Sequence, residues 1–507
     1  MENAPTLQGN EMKLKVWTKE NLQTLIKDNM SDYVFVLVSS RQPYVHVFNK
    51  GKIECQRGAG GVVTALDPIM RACNGLWVAY GNGDADKKVT DAKGKIRVPP
   101  DNPAYTLRRV WLTKEEEDGF YYGYANQGLW PLCHLAFQRP VFKASDWEYY
   151  CEVNKKFARA IIEEIGDKKA FVWIQDYHFT LLPKYLKEMA PGQLIIAHFW
   201  HIPWPSHEVF RICPQKNQIL KGLLSNDLLG FHIRYHCNNF VDTVDRELQC
   251  KIDREKLSII KGDHETLVRP YPISVDFEEL GATAAKPETK KIVKSLRDEY
   301  GLMGKKVILG LDRIDYTKGI PERLLAVDRL LEKHPSLKGK IVFLQMGVIS
   351  RIHIPRYREL NDEVNNLVED INWKHSTVDW DPIIMARRHL TFNELVALYR
   401  MCDACVVSSL HDGMNLVAKE FISSAVDENS TLLLSQFTGA ARELEGAVLI
   451  NPYDREEFAD SIYKALNFGR EERRRRMKKM RFTIQQNNIY RWAGKMLSTL
   501  LKFEFQE

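Results

Sequence analysis

Nothing in this 507-residue sequence approaches the roughly 18 to 20 consecutive apolar residues that a helix needs to cross a bilayer. The opening "MENAPTLQGNEMKLKVW" also lacks the apolar core of a secretory leader, so a soluble cytoplasmic protein with no membrane contact is the expectation. Cysteine is scarce: nine residues, an odd number scattered through a large chain, argue for reduced thiols and against a disulfide framework. Cys402 and Cys405 form a lone "CDAC" with no second pair downstream, which reads as structural. His232 and His236 stand at i, i+4 in "FHIRYHC", but Ile233 occupies the place of the Glu that a zinc peptidase needs. No metal site is expected there. Charge of one sign is not in large excess either, since 72 Lys and Arg against 66 Asp and Glu leave only +6. That balance suits a small anionic ligand and does not call for nucleic acid. The basic run "REERRRRMKK" (470–479) leads into Met477, Met480 and Ile484 at helical spacing, the pattern of a surface helix with a solvated basic face. Internal repeats of 20 to 50 residues and low-complexity tracts are absent.

What is present is alternation. Single cores stop growing at about 250 to 300 residues, so the length implies two or three domains. In the first half, apolar runs fall at 33–40, 170–176, 194–200 and 227–232, with helical patterns between them. The second half repeats the scheme at 305–313, 340–347, 404–410, 431–436 and 447–451. Continuous apolar strands separated by helices require parallel sheets covered on both faces. The expected fold class is α/β, with two doubly wound domains, 1–276 and 277–507. The polar, Ala- and Thr-rich stretch 276–291 is read as the linker. In such sheets ligands bind beyond the carboxyl ends of the strands, so two facing domains make a cleft.

The chemistry-bearing residues fall where that cleft requires them. "RGAGGVVTALDP" (57–68) is a glycine-rich loop entering a helix. "IQDYHF" sets Asp176 and His178 at a strand end, and "HFWHIPWP" sets His201 at the next. "LDRIDYTKGIPER" puts Arg313 at a strand end and Lys318 before a helix capped by Thr317 or Gly319, two cations suited to a diphosphate. Arg351 in "GVISRIHIP" ends another strand. "HDGMNLVAKE" (411–420) follows a buried strand and opens a helix, whose N-terminal amides can face an anion.

Taken together, "LDRIDYTKG", "HDGMNLVAKEF", "LLLSQFTGAARELEGAVLINPYD", "IQDYH", "HIPWPSHEVFR", "LLGFH" and "GLWP" closely resemble, in the same order, the retaining glucosyltransferases called α,α-trehalose-phosphate synthases. The resemblance runs from about residue 33 to about residue 500. It implies a GT-B fold of two Rossmann-like domains, with a final helix at about 489–507 packing back on the first. It also implies transfer of glucose from a nucleotide-glucose, UDP-glucose first, to glucose 6-phosphate, with no obligatory metal or other cofactor. The implied catalytic set is Asp176, Arg313, Lys318 and Asp412. Donor binding is implied for Gly61, His201, Arg313, Lys318, Asp412, Asn415, the amides of Leu416 and Val417, and Glu420, the last as a ribose-binding carboxylate. His201 is the implied partner of the donor sugar's 6-hydroxyl. Acceptor binding is implied for Arg41, Tyr121, Trp130, Asp176 and Arg351, with Trp130 stacking on the sugar or walling the pocket. The implied course is front-face attack with retention, the leaving phosphate taking the acceptor's proton; Asp412 as a covalent nucleophile is the runner-up. A homo-oligomer is compatible with the resemblance.

Three positions depart from the family's pattern. Ser40 stands where an Asn usually precedes Arg41, followed by a long loop before the glycines. His411 replaces the Arg that usually precedes the DGMN element, and with an ordinary pKa near 6.5 it can be neutral. "IHIPRYREL" replaces an Asp-rich continuation after Arg351. These departures leave two alternatives open: a sister transferase with another phosphorylated acceptor, such as a glucosylglycerol-phosphate synthase or a pseudo-glycosyltransferase, and a non-catalytic regulatory subunit. Arg351, missing in the glycerol-specific relatives, favours glucose 6-phosphate. The presence of Arg313, Lys318, Asp412 and Glu420 counts against a regulatory role.

Overall fold

The computed structural model describes residues 16–58 and 61–505. Residues 1–15 of the stretch read for a leader and the Ala59-Gly60 part of the glycine-rich loop lie outside them.

β-Branched and aromatic runs form the strands because both faces of each can be buried. Val34–Val38 and Ala170–Gln175 pair in parallel with Val36 opposite Val172. They lie at the middle of a 10-stranded sheet whose further members include Leu76–Tyr80 and Tyr105–Val110 on one side, and Leu194–Phe199, Leu228–Phe231 and His264–Pro270 on the other. Antiparallel strands close both edges. A 6-stranded, wholly parallel sheet follows, in the order Ile383–Ala386, Ile341–Val348, Lys306–Arg313, Ala404–Val407, Thr431–Ser435, Val448–Ile450. With helices packed along both sheets, this is the two-Rossmann GT-B architecture.

All nine runs read as strands are strands. The sequence reading passed over others, such as Tyr105–Val110 ("YTLRRV") and His264–Pro270 ("HETLVRP"), whose charged residues hide the apolar pattern. The linker expectation needs correction: residues 277–285 and 287–299 are helices. Asp276 caps the first by accepting from the Glu279 amide, and Pro287 starts the second from its first turn. The Ala, Glu, Lys and Leu of these stretches are good helix formers.

Asp118–Leu129 is wound in wide π-helical turns ending at Trp130. Such turns are rare and gather at functional sites. At the chain's end, Ile489–Leu500 crosses back to the first sheet. Trp492 donates to the Tyr271 carbonyl (3.1 Å) and lies 5.0 Å, centroid to centroid, from both Trp173 and Phe199. Among the described residues, no helix is long and apolar enough to cross a membrane.

Candidate active site

The second sheet presents a cationic corner. Arg313 closes its strand and has no hydrogen-bond partner among the described residues, which leaves its donors available. Lys318 sits in a short 3-10 turn, Tyr316–Lys318, and its ammonium lies 2.6 Å from Asp412 Oδ2. Of the two caps expected for the helix that follows, Ile320–Lys333, Gly319 takes the place, while Asp315 caps the 3-10 turn itself, its carboxylate accepting from the Thr317 amide and hydroxyl. Gly319 follows in the left-handed region (φ 61°), where a Cβ would stand 2.2 Å from the Ser408 carbonyl oxygen. Buried Arg323 holds this turn from below, donating to the Lys318 carbonyl, to Asp312 and to Ser408.

Asp412 lies beyond the Ala404–Val407 strand. Burial would raise its pKa, but Lys318, with Asn415 assisting, holds it well below the usual carboxylate range. Asn415 takes a positive φ (86°) and caps the Leu416–Ser424 helix by accepting from the Ala418 amide. The amides of Leu416 and Val417, in the helix's first turn, then have no intrahelical acceptor. Gly61, at the start of the Gly61–Cys73 helix, faces them; a Cβ there would come within 3.0 Å of Leu416 Cδ1. Two helix N-termini therefore confront each other, an arrangement that favours an anion. Glu420 is buried, accepts from the Tyr399 hydroxyl (2.7 Å), and is pushed up to about 7 by burial.

The first sheet supplies the opposite wall. Arg41 donates twice to the Tyr121 hydroxyl (2.6 and 3.1 Å). Burial would raise that phenol, yet Arg41, Arg351 and Arg313 together bring it down to about 7. Arginines from both halves thus converge on one point. Arg351 adopts φ 53°, donates to the Tyr357 hydroxyl (2.6 Å), and stacks 4.5 Å above the Trp130 ring. Trp130 is only 6% exposed, so of its two expected roles it walls the pocket, with its face taken by Arg351. Asp176, also at positive φ (73°), is raised to about 7 by burial while Arg351 and Arg313 pull it down. His201 donates its amide to Asp176 (3.3 Å) and pairs through Nε2 with Gln175 (2.8 Å); burial keeps it well below its ordinary value. His201 also meets the other half directly, because a Cβ at Gly413 would stand 2.4 Å from its carbonyl oxygen.

The structure thus brings Arg41 to Tyr121, Arg351 to Trp130, Lys318 to Asp412, Gly61 to Leu416 and His201 to both Asp176 and Gly413. Sequence reasoning missed Asp315, Arg323, Tyr357, Gln175 and Tyr399, whose partners are distant in the chain. Asp315 lay inside the recognised "LDRIDYTKG" beside its partner Thr317, but nothing local pointed to Arg351 or Tyr357. His178, whose position was noted, has both ring nitrogens buried without partners and lies flat on Tyr121. His411 accepts from the Leu135 amide (3.1 Å), and burial lowers it to about 4, so it brings no positive charge. His232 and His236 bond the backbone of His201 and Trp204. Cys402 and Cys405 are buried, free thiols. Met477, Met480 and Ile484 face inward beneath the basic run.

Comparison with known proteins accords with this geometry. A chain described as α,α-trehalose-phosphate synthase (UDP-forming), from Pichia angusta, is 34% identical over 458 residues, covering 89% of this chain and 94% of its own. A trehalose-6-phosphate synthase of Mycolicibacterium gilvum is 36% identical over 478 residues, covering 93% and 94%. Among solved structures, one described as trehalose-6-phosphate from E. coli bound with UDP-2-fluoro glucose superposes with a TM-score of 0.82 at 30% identity, covering 93% of this chain and all of that one. An α,α-trehalose-phosphate synthase (UDP-forming) from Burkholderia xenovorans in complex with glucose-6-phosphate gives 0.82 at 28% identity, covering 92% and 99%. The model of glycosyltransferase family 20 matches residues 33–502, a span that takes in both sheets and every residue of the cleft, and the chain belongs to that family.

Proposed function

We propose that this glycosyltransferase moves glucose from UDP-glucose to glucose 6-phosphate with retention, giving trehalose 6-phosphate and UDP. The observation that carries the reading is the joining of Arg351 to the Lys318 turn through Asp315, with Arg41 bonded to Tyr121 and Lys318 to Asp412. A phosphorylated acceptor and a diphosphate donor are the two anions such a cleft calls for. Relatives described with UDP-2-fluoro glucose and with glucose-6-phosphate support the same pair.

In this reading Arg41, Tyr121 and Arg351 hold the acceptor phosphate, with Trp130 fixing the plane of Arg351. Arg313, Lys318 and the Leu416 and Val417 amides neutralise the departing diphosphate, the largest charge that develops in the transition state. Gly61 lets the glycine-rich loop close over the donor, and Glu420, set by Tyr399, takes the ribose. Asp412 and His201 hold hydroxyls of the donor glucose, and Asp176 faces both sugars. The leaving phosphate accepts the acceptor's proton. Asp412 is poorly suited to act as a nucleophile, because its Oδ2 already accepts from Lys318, Ser409 and Asn415. Fixed protein cations take the part that a metal plays elsewhere, so no metal is assigned. Both substrates are anionic and do not cross membranes unaided, which supports a reaction in the cytoplasm.

The test is nucleoside diphosphate release by the purified protein with UDP-, GDP- or ADP-glucose, each with and without glucose 6-phosphate, and again in EDTA. Release that needs UDP-glucose and glucose 6-phosphate together, undiminished by EDTA, is expected. Release that depends on glycerol 3-phosphate instead would move the chain to a sister activity, and none with any pair would sink the reading.

A further inference from the structure

Asp315 is completely buried, and its two oxygens face opposite ways along the cleft. Oδ1 accepts from the Thr317 amide (3.0 Å) and hydroxyl (2.9 Å), which folds the turn that carries Lys318. Oδ2 accepts from the Tyr357 hydroxyl (3.1 Å) and lies 3.5 Å from Arg351 Nη1. Tyr357 in turn accepts from that same guanidinium nitrogen, closing a three-membered network around Arg351. Arg351 needs such support: it sits in the left-handed region, a conformation that persists only where its surroundings over-determine it. Its Nε is buried with no protein partner, a donor left for a ligand. Burial would raise the Asp315 carboxyl, but Arg351, Arg313 and Lys318 hold it below the usual range, so it stays an anion among cations of both sites.

We infer that Asp315 is a positioning residue that ties the acceptor-side Arg351 to the donor-side Lys318 turn, so that one buried carboxylate sets the spacing of the two phosphate sites. This rests on the assignment of those sites made above and adds the link between them. Such a link explains why a carboxylate, which touches neither substrate, is buried where two polyanions must bind. Without it, the turn and the arginine would order separately.

Its two arms can be cut one at a time. Tyr357→Phe removes the hydroxyl that Arg351 and Asp315 share and leaves only their 3.5 Å contact, and the KM for glucose 6-phosphate should rise about tenfold, as for a lost hydrogen bond to a charged group. The KM for UDP-glucose should not move. Thr317→Val removes the hydroxyl from the Lys318 arm and should lower kcat and raise the UDP-glucose KM, leaving the glucose 6-phosphate KM alone. Asp315→Asn presents an amide N–H to Arg351 and Tyr357, and should damage both sides by roughly ten- to a hundredfold. Asp315→Glu, which keeps the charge, should restore part of both. If Asp315→Asn fails to fold, the two one-armed variants decide. Proportionate losses for both substrates in each variant, or an unmoved acceptor KM in Tyr357→Phe, would overturn the link while UDP release by the wild type stands. A wild type without glucose 6-phosphate-dependent release overturns the site assignment and the link with it.

Discussion

Arg313 and Lys318 show how residues of one charge can differ in use. Lys318 is engaged by Asp412 at 2.6 Å, whereas the Arg313 side chain has no hydrogen-bond partner among the described residues, which suits the role proposed for it at the leaving diphosphate. Arg313→Ala should therefore cut kcat by roughly two to three orders of magnitude with the fold intact, the scale of deleting one transition-state donor. Near-normal turnover by a variant with an unchanged melting temperature would contradict the role. Two carboxyls carry a pH signature. Asp176 is raised from 3.8 and Glu420 from 4.5, both to about 7 and both through burial. Between about pH 4 and about pH 7 the native state keeps protons that the unfolded chain has released, so their contribution to stability is full at the acid end and is lost as pH rises through that window. Urea unfolding of the ligand-free protein across it should show this fall, and the double variant Asp176→Asn, Glu420→Gln should flatten it. Identical pH slopes for the two proteins would rule the assignment out. At this scale Asp176, His201, Arg313, Lys318 and Arg351 were legible from strand ends and turns, whereas Arg41, Tyr121, Trp130 and Glu420 were named only through the family resemblance. Their partners were not, since Tyr121 meets Arg41, and Tyr357 meets Asp315, only after the chain has folded.

Elements do the positioning through their ends. The turn 408–415 joins a buried strand to a helix capped by Asn415, and within it Gly413 presses against the His201 carbonyl of the other half. No side chain fits there. Gly413→Ala has to push the two walls apart, and a displacement of about 1 Å in a reacting geometry can cost roughly a hundredfold in rate. Steady-state kinetics and thermal melting of that variant check this, and activity within a factor of a few of wild type would mean that the two halves give way easily. The nine strands read from apolar runs were legible because burial on both faces leaves an unbroken apolar signature. Strands at or near the sheet edges, such as Lys95–Val98 and Tyr105–Val110, carry charge and escaped notice. The supposed linker was misread because polar composition alone does not separate a loop from a solvated helix.

Across the whole molecule the C-terminal helix acts as a strap, formed after the second sheet yet lying on the first. Trp492 fills the space between Trp173 and Phe199, so Trp492→Ala should destabilise the protein by about 3 to 5 kcal/mol, measured by urea unfolding. A loss under about 1 kcal/mol would mean that the helix is dispensable. The sequence by itself determined the two parallel-sheet halves, the helix N-terminus after Asn415, and which side chains stand at strand ends, because period, capping and turn chemistry act over a few residues. Only the tertiary structure decided that Lys318 meets Asp412, that Arg351 lies on Trp130, and that Asp315 reaches Arg351 and Tyr357. Those meetings depend on how two separately wound sheets dock, and docking is settled by packing between residues that no local rule connects.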